Sequence, residues 1–182
     1  MKRSIISAAV LSAVFMSAGA FAADNEEGTL IINGEITGSS CYFDGGQDSE
    51  TLTLQTVDAS LFANKAVGEE VEGDATKTAN MKIICPGSSQ LKSINITNVT
   101  FGDNGIIRPT TGGDTNVGFK LKIDDKHIDS TGVIDIASLN KKLTSGGEIY
   151  DLNFDADYSR LNLQPVKNGQ LSATVTFSVS AE

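Results

Sequence analysis

From Gly169 to Glu182 the sequence alternates without a break. Leu171, Ala173, Val175, Phe177, Val179 and Ala181 share one parity, and Gln170, Ser172, Thr174, Thr176, Ser178 and Ser180 share the other. A period of two is the repeat of a β-strand that lays one face on a core, whereas a helix would repeat its apolar positions every three or four residues. The same period returns in Val117, Phe119, Leu121 and Ile123, and again in Leu152, Phe154, Ala156 and Tyr158. Turn residues punctuate the chain between these stretches: Gly45-Gly46, Pro86-Gly87, Gly112-Gly113, Gly146-Gly147 and Pro165. Many short antiparallel strands of this kind predict an all-β sandwich. Val133 to Leu143 is spaced as a short helix, and the acidic stretch Gly68 to Asp74 reads as an exposed loop. No internal repeat, low-complexity tract or interdomain linker is visible, and 182 residues suit a single domain.

Composition narrows the function. With 40% hydrophobic and 20% charged residues the chain is an ordered globule, and its net charge of −9 disfavours nucleic acid or anionic membrane as partner. The N-terminus has the pattern of a secretory signal peptide: basic Lys2-Arg3, an apolar run from Ile5 to Phe21, and Ala20-Phe21-Ala22 as a cleavage site before Ala23. Its removal leaves 12 basic against 23 acidic residues, a charge of −11. Export places Cys41 and Cys85 where a disulfide persists, and they are the chain's two cysteines. Neither sits in a C-x-x-C pair, and the single His127 cannot complete a tetrahedral metal site.

Catalytic and ligand motifs are weak. Asp124, Asp125 and Asp129 lack the spacing of a calcium loop, the glycine clusters do not follow a strand into a helix, and no nucleophile motif surrounds His127. Asn95-Ile-Thr97 and Asn98-Val-Thr100 are glycosylation sequons by pattern and read as strand composition. A hydrolase is thus disfavoured, and no cofactor or metal is expected. At the front of the mature chain, Gly28, Leu30, Ile32, Gly34 and Ile36 share one parity behind a polar Asp24-Asn25-Glu26-Glu27, as an extended arm would.

The segment Gly28-Thr29-Leu30-Ile31-Ile32-Asn33-Gly34-Glu35-Ile36 before Cys41 resembles the N-terminal signature of chaperone–usher pilins, the structural subunits of type 1 and P pili. Thr115-Asn116-Val117-Gly118 is similar to that family's T-N-V-G strand, and Leu152-x-Phe154-x-Ala156-x-Tyr158 to its [IL]-x-F-x-A-x-Y strand. Gly169, fourteenth from the end, stands where the family has it, while Ala181 replaces the usual penultimate tyrosine.

The resemblance implies a signal peptide over 1–22, a donor-strand extension over 23–33 and a pilin domain over 34–182. The fold it implies is an incomplete immunoglobulin-like sandwich, lacking its last strand and completed by donor-strand exchange. A periodic supply of partners follows: a periplasmic chaperone lends a strand to the groove, and at the outer-membrane usher the arm of a neighbouring pilin replaces it. Gly28, Leu30 and Ile32 would be the donor residues, and Gly169, Leu171, Ala173, Val175, Phe177, Val179 and Ala181 the strand that receives chaperone and donor. The expected product is a structural fimbrial subunit, exported through the periplasm to the cell surface and supporting adhesion. The alternative is a secreted monomeric adhesive or carbohydrate-binding sandwich, for which a chain without tryptophan and with 6% aromatic residues offers little.

Overall fold

The computed structural model describes residues 28–36, 41–46, 49–73, 75–77 and 79–182. The expected signal peptide, 1–22, and the first part of the expected arm, 23–27, lie outside the described residues. Two sheets face each other. One is six-stranded, with β10 (Val133–Ile134), β7 (Leu91–Thr97), β13 (Ser172–Ala181), β1 (Gly28–Ile36), β3 (Ser49–Leu54) and β5 (Ala75–Lys77) side by side in that order. The other runs β2 (Tyr42–Phe43), β6 (Ala79–Pro86), β12 (Gly147–Arg160), β8 (Val117–Ile123) and β9 (Lys126–His127), with β4 (Glu70–Val71) and β11 (Asn140–Thr144) also pairing to β12. The architecture is an all-β sandwich, and among the described residues the only helical elements are short 3-10 turns.

Alternation decides which side chains meet between the sheets. Ala173, Val175, Phe177 and Val179 of β13 are buried, as are Leu152, Phe154, Ala156 and Tyr158 of β12. The Phe154 and Phe177 rings come within 5.1 Å of each other across the core, and Phe119 meets Tyr158 at 5.8 Å between paired strands. Gly118 interrupts the polar parity of β8 because the Ile107 carbonyl crosses there: a Cβ would stand 2.6 Å from that oxygen.

Two expectations are corrected. Val133 to Leu143 is no helix: β10, a single 3-10 turn over Ile136–Ser138 and the start of β11 divide it. Asp135 accepts the Ala137 N–H at 3.1 Å and caps that one turn, while Ile134 and Leu139 are drawn into the core from either side of it. Nor is Gly68 to Asp74 simply an exposed loop. Glu70 and Val71 form β4 against Ser159 and Tyr158, with Val71 buried.

A disulfide joins Cys41 to Cys85 across 44 positions, both sulfurs buried. Closing a loop of that length removes about 4 kcal/mol of denatured-state entropy. Replacing both cysteines with alanine is therefore expected to lower stability by about that amount in urea unfolding, with the slope rising as the unlinked denatured chain expands.

Candidate functional site: the arm and its groove

The arm lies in the chain's own sheet. β1 runs parallel to β13, with Thr29 opposite Ser172 and Ile36 opposite Val179. On its other side it is antiparallel to β3, from Gly28 opposite Leu54 to Asn33 opposite Ser49. Leu30 stands between Ala173 and Leu52, and all three are fully buried. Ile31, next along, is 38% exposed on the outer face. Ile32 takes the register position between Val175 and Glu50. Burying a leucine contributes about 1.5–3 kcal/mol, to which the two hydrogen-bond ladders add.

Each wall of this slot keeps another strand partner without the arm. β13 pairs on its far side with β7, and β3 with β5. Removing β1 would leave two facing strand edges one strand apart, a gap of roughly 10 Å that another strand of the right parity can fill. The buried side chains along the β13 wall would be Leu171, Ala173, Val175, Phe177 and Val179. Ala181 sits past a register shift at Ser180 and is only partly buried. Gly169, expected at the start of the last strand, lies outside it: the chain is still loop there, and β13 begins at Ser172, where Thr111 bridges to it.

The two ends of the groove differ. At one end Ile36 leads through positions 37–40 to Cys41 and the disulfide, beside the turn from Pro86 to Leu91. There Gln90 and Glu182 exchange backbone hydrogen bonds, and Lys92 reaches the Glu182 carboxylate at 2.5 Å. At the other end two loops meet over a cleft lined by Val57, Phe62, Val166 and Leu171. Arg160, the last residue of β12, organises both loops. Its guanidinium donates to the carbonyls of Phe62 and Lys65 on one loop and of Asn162, Leu163 and Gln164 on the other, at 2.9–3.2 Å. No carboxylate is needed, because five carbonyls suit five fixed N–H donors.

A charge network ties the sheets together near the same end. Glu70 lies 3.2 Å from the Lys120 ammonium, 3.7 Å from that of Lys122 and 3.5 Å from His127 Nε2. Lys122 also donates to the buried Asp157, whose other oxygen accepts the Gly73 N–H at 3.1 Å. Gly73 in turn holds the end of β3, its carbonyl taking the Gln55 N–H at 2.8 Å.

The hydrogen bond to Asp157 holds the Lys122 ammonium above its ordinary range, and burial followed by the bond to Glu148 raises the Tyr150 phenol. Both groups keep a proton in the folded state at a pH where the unfolded chain has begun to lose it. Their contribution is therefore whole below the unfolded values near pH 10 and declines as pH rises through the folded ones. Thermal melts from about pH 8 to 12 should show the melting temperature falling above about pH 10, and falling less in a Lys122→Met, Tyr150→Phe double variant.

An all-β sandwich with an N-terminal strand lying between β13 and β3, and a disulfide at that strand's root, suits a structural subunit of a fimbria. The Fimbrial protein family model matches residues 30–182, and the chain belongs to that family. It is 35% identical over 189 residues, spanning 100% of both chains, to the uncharacterized fimbrial-like protein YehD of Escherichia coli (strain K12). A solved Burkholderia pseudomallei antigen and type I fimbria protein is 21% identical, covering 87% of this chain and 94% of that one, with a TM-score of 0.37. The chain is thus a pilus subunit of the cell-surface fimbria, a structural part assembled with other subunits. Among the described residues no helix is long and apolar enough to cross a membrane.

The sequence reading did not single out Arg160 or the Glu70 network. Their signals are a lone arginine at the end of an alternating run and an acid whose partners are fifty or more positions away.

Proposed function

We propose that this subunit polymerises by donor-strand exchange and that the resulting fimbria supports adhesion. In this reading the chain is exported through the periplasm, a chaperone fills the groove after the arm is withdrawn, and an outer-membrane usher hands the groove to the arm of a neighbouring pilin. The observation that carries it is the slot itself: β13 and β3 each keep another sheet partner, so β1 can leave or be replaced without dismantling either. Exchanging an element between copies is a low-cost route to assembly, since the slot that would receive a neighbour's arm is the one that holds the chain's own.

The same reading sets which way a neighbour's arm would enter. Within the chain the arm points its C-terminal end toward the disulfide. A neighbour's arm in that same sense would bring the neighbour's body to the disulfide end, where this subunit's own arm leaves, and every junction would crowd there. Entering in the opposite sense puts the neighbour's body at the Arg160 end, and the chain of subunits can extend.

One observation favours the second reading, a monomeric module: the arm already fills its own groove. Deletion of residues 23–33 separates the two. The shortened subunit is expected to accept an arm from the intact chain but to donate none, so that mixed with intact subunits it terminates polymers at one end. A copy of 24–33 appended after Glu182 through a flexible linker should restore its heat resistance as a monomer. Intact chain that stays monomeric when coexpressed with its chaperone and usher would instead establish the monomeric module.

A further inference from the structure

An arm that is already docked within its own chain competes at an effective concentration on the order of millimolar, so a neighbour's arm carrying the same residues needs contacts that the in-chain arm lacks. The outer surface shows where they are. Six large apolar side chains are exposed among the described residues: Ile31, Tyr42, Leu61, Val133, Leu143 and Leu163. Ile31 and Val133 belong to the six-stranded sheet. The other four sit at the two ends of the sandwich.

Leu61 and Leu163, 53% and 76% exposed, stand on the two loops that Arg160 fastens: the carbonyls of Phe62 and Leu163 accept from the same guanidinium. Tyr42 and Leu143, 50% and 71% exposed, stand at the disulfide end. Tyr42 follows Cys41 and pairs with Ile84, and Leu143 lies opposite Glu148, which itself faces Cys85. Side chains of this size, exposed at both ends of the sandwich, offer apolar contact area where two copies of one chain can meet.

We infer that successive subunits touch body to body, the Leu61 and Leu163 loops of one copy packing on the Tyr42 and Leu143 surface of the copy that donates its arm. The inference rests on the strand-exchange reading and names the contact that favours exchange over self-docking. The occupant is a second copy because the patch adjoins the mouth of the groove through which that copy's arm must pass, and because the complementary patch surrounds the arm's own root. The contact is heterologous, so it propagates instead of closing. Arg160 is its positioning residue: it touches neither partner and fixes both loops.

Paired cysteines test the contact, since the native Cys41–Cys85 sulfurs are buried and out of reach of exchange. Filaments assembled by the chaperone and usher from a Leu163→Cys, Leu143→Cys subunit, or a Leu61→Cys, Tyr42→Cys subunit, should on oxidation give a ladder of oligomers that survives boiling and collapses on reduction. A Val133→Cys, Leu143→Cys subunit should give none. A Leu61→Asp, Leu163→Asp double variant should melt as the intact monomer does and yield few filaments. Filaments that form normally but cross-link through neither end-to-end pair, or through the Val133 control equally, overturn the contact and leave strand exchange standing. Wild-type subunits that form no filaments or heat-resistant ladder overturn both.

Discussion

Leu30→Asp is expected to release the arm from the groove, whereas Ile31→Asp, one residue along, should leave it in place. Leu30 is fully buried between Ala173 and Leu52, where a carboxylate finds no cation or donor. The substitution removes about 1.5–3 kcal/mol of burial and adds an unpaired buried charge costing several kcal/mol more. The chain does not have to bear that whole cost, because β1 can undock. The loss is then the entire docking free energy of the arm, and the exposed groove should bind a hydrophobic dye. Ile31 faces outward and is 38% exposed, so its substitution should change stability by about 0.5 kcal/mol. Chemical unfolding with dye binding reads both, and unboiled gels read assembly. Equal behaviour of the two variants in both assays would remove the arm from any role in the groove.

Phe177→Asp should have a larger effect, because β13 has no such escape. The strand lies between β1 and β7 in the middle of its sheet, and the Phe177 ring packs 5.1 Å from that of Phe154. Deleting a buried phenylalanine side chain costs about 3–5 kcal/mol before any charge is added, against a total stability of about 5–15 kcal/mol for a domain. The variant is expected to accumulate as insoluble or degraded material, with Val175→Asp close behind. Thr176→Asp places its carboxylate on the outer face, level with Thr97 and Asn33 in register, and should fold and polymerise. Soluble yield and circular dichroism of the three variants check this, and a soluble, folded Phe177→Asp would mean that β13 does not pack as described.

The strands that alternate strictly were legible because each side chain's burial follows from its own parity. Val117 to Ile123 is β8, and Leu152 to Tyr158 lies within β12. Val133 to Leu143 misled because apolar residues at 133, 134, 136, 139 and 143 imitate helical spacing, while the structure buries only Ile134 and Leu139, using two strands and one capped turn, and leaves Val133 and Leu143 exposed. Gly68 to Asp74 misled because four acids look like a solvated face. Glu70 is instead held by Lys120, Lys122 and His127, partners that no local window contains. Parity also placed Leu30 inward and Ile31 outward, but it carries no information about whose groove the arm fills, since the same residues suit the chain's own β13 and a neighbour's equally.

The disulfide gains a mechanical meaning once subunits are linked through their arms. Under the proposed strand exchange, a pull on the filament would reach each body at Cys41, and the covalent bond would pass it directly to Cys85 in β6, which pairs with β12 over Ala79–Pro86. The load would thereby be carried as shear along a long central ladder of the seven-stranded sheet. Without the bond it would travel through the backbone of β2 and β3 and peel away one wall of the slot that holds the next arm. In such a filament the crosslink would shield the joint from the tension it transmits, and its effect on rupture force should exceed its effect on equilibrium stability, because forced unfolding follows the unfolding rate along the pulled path.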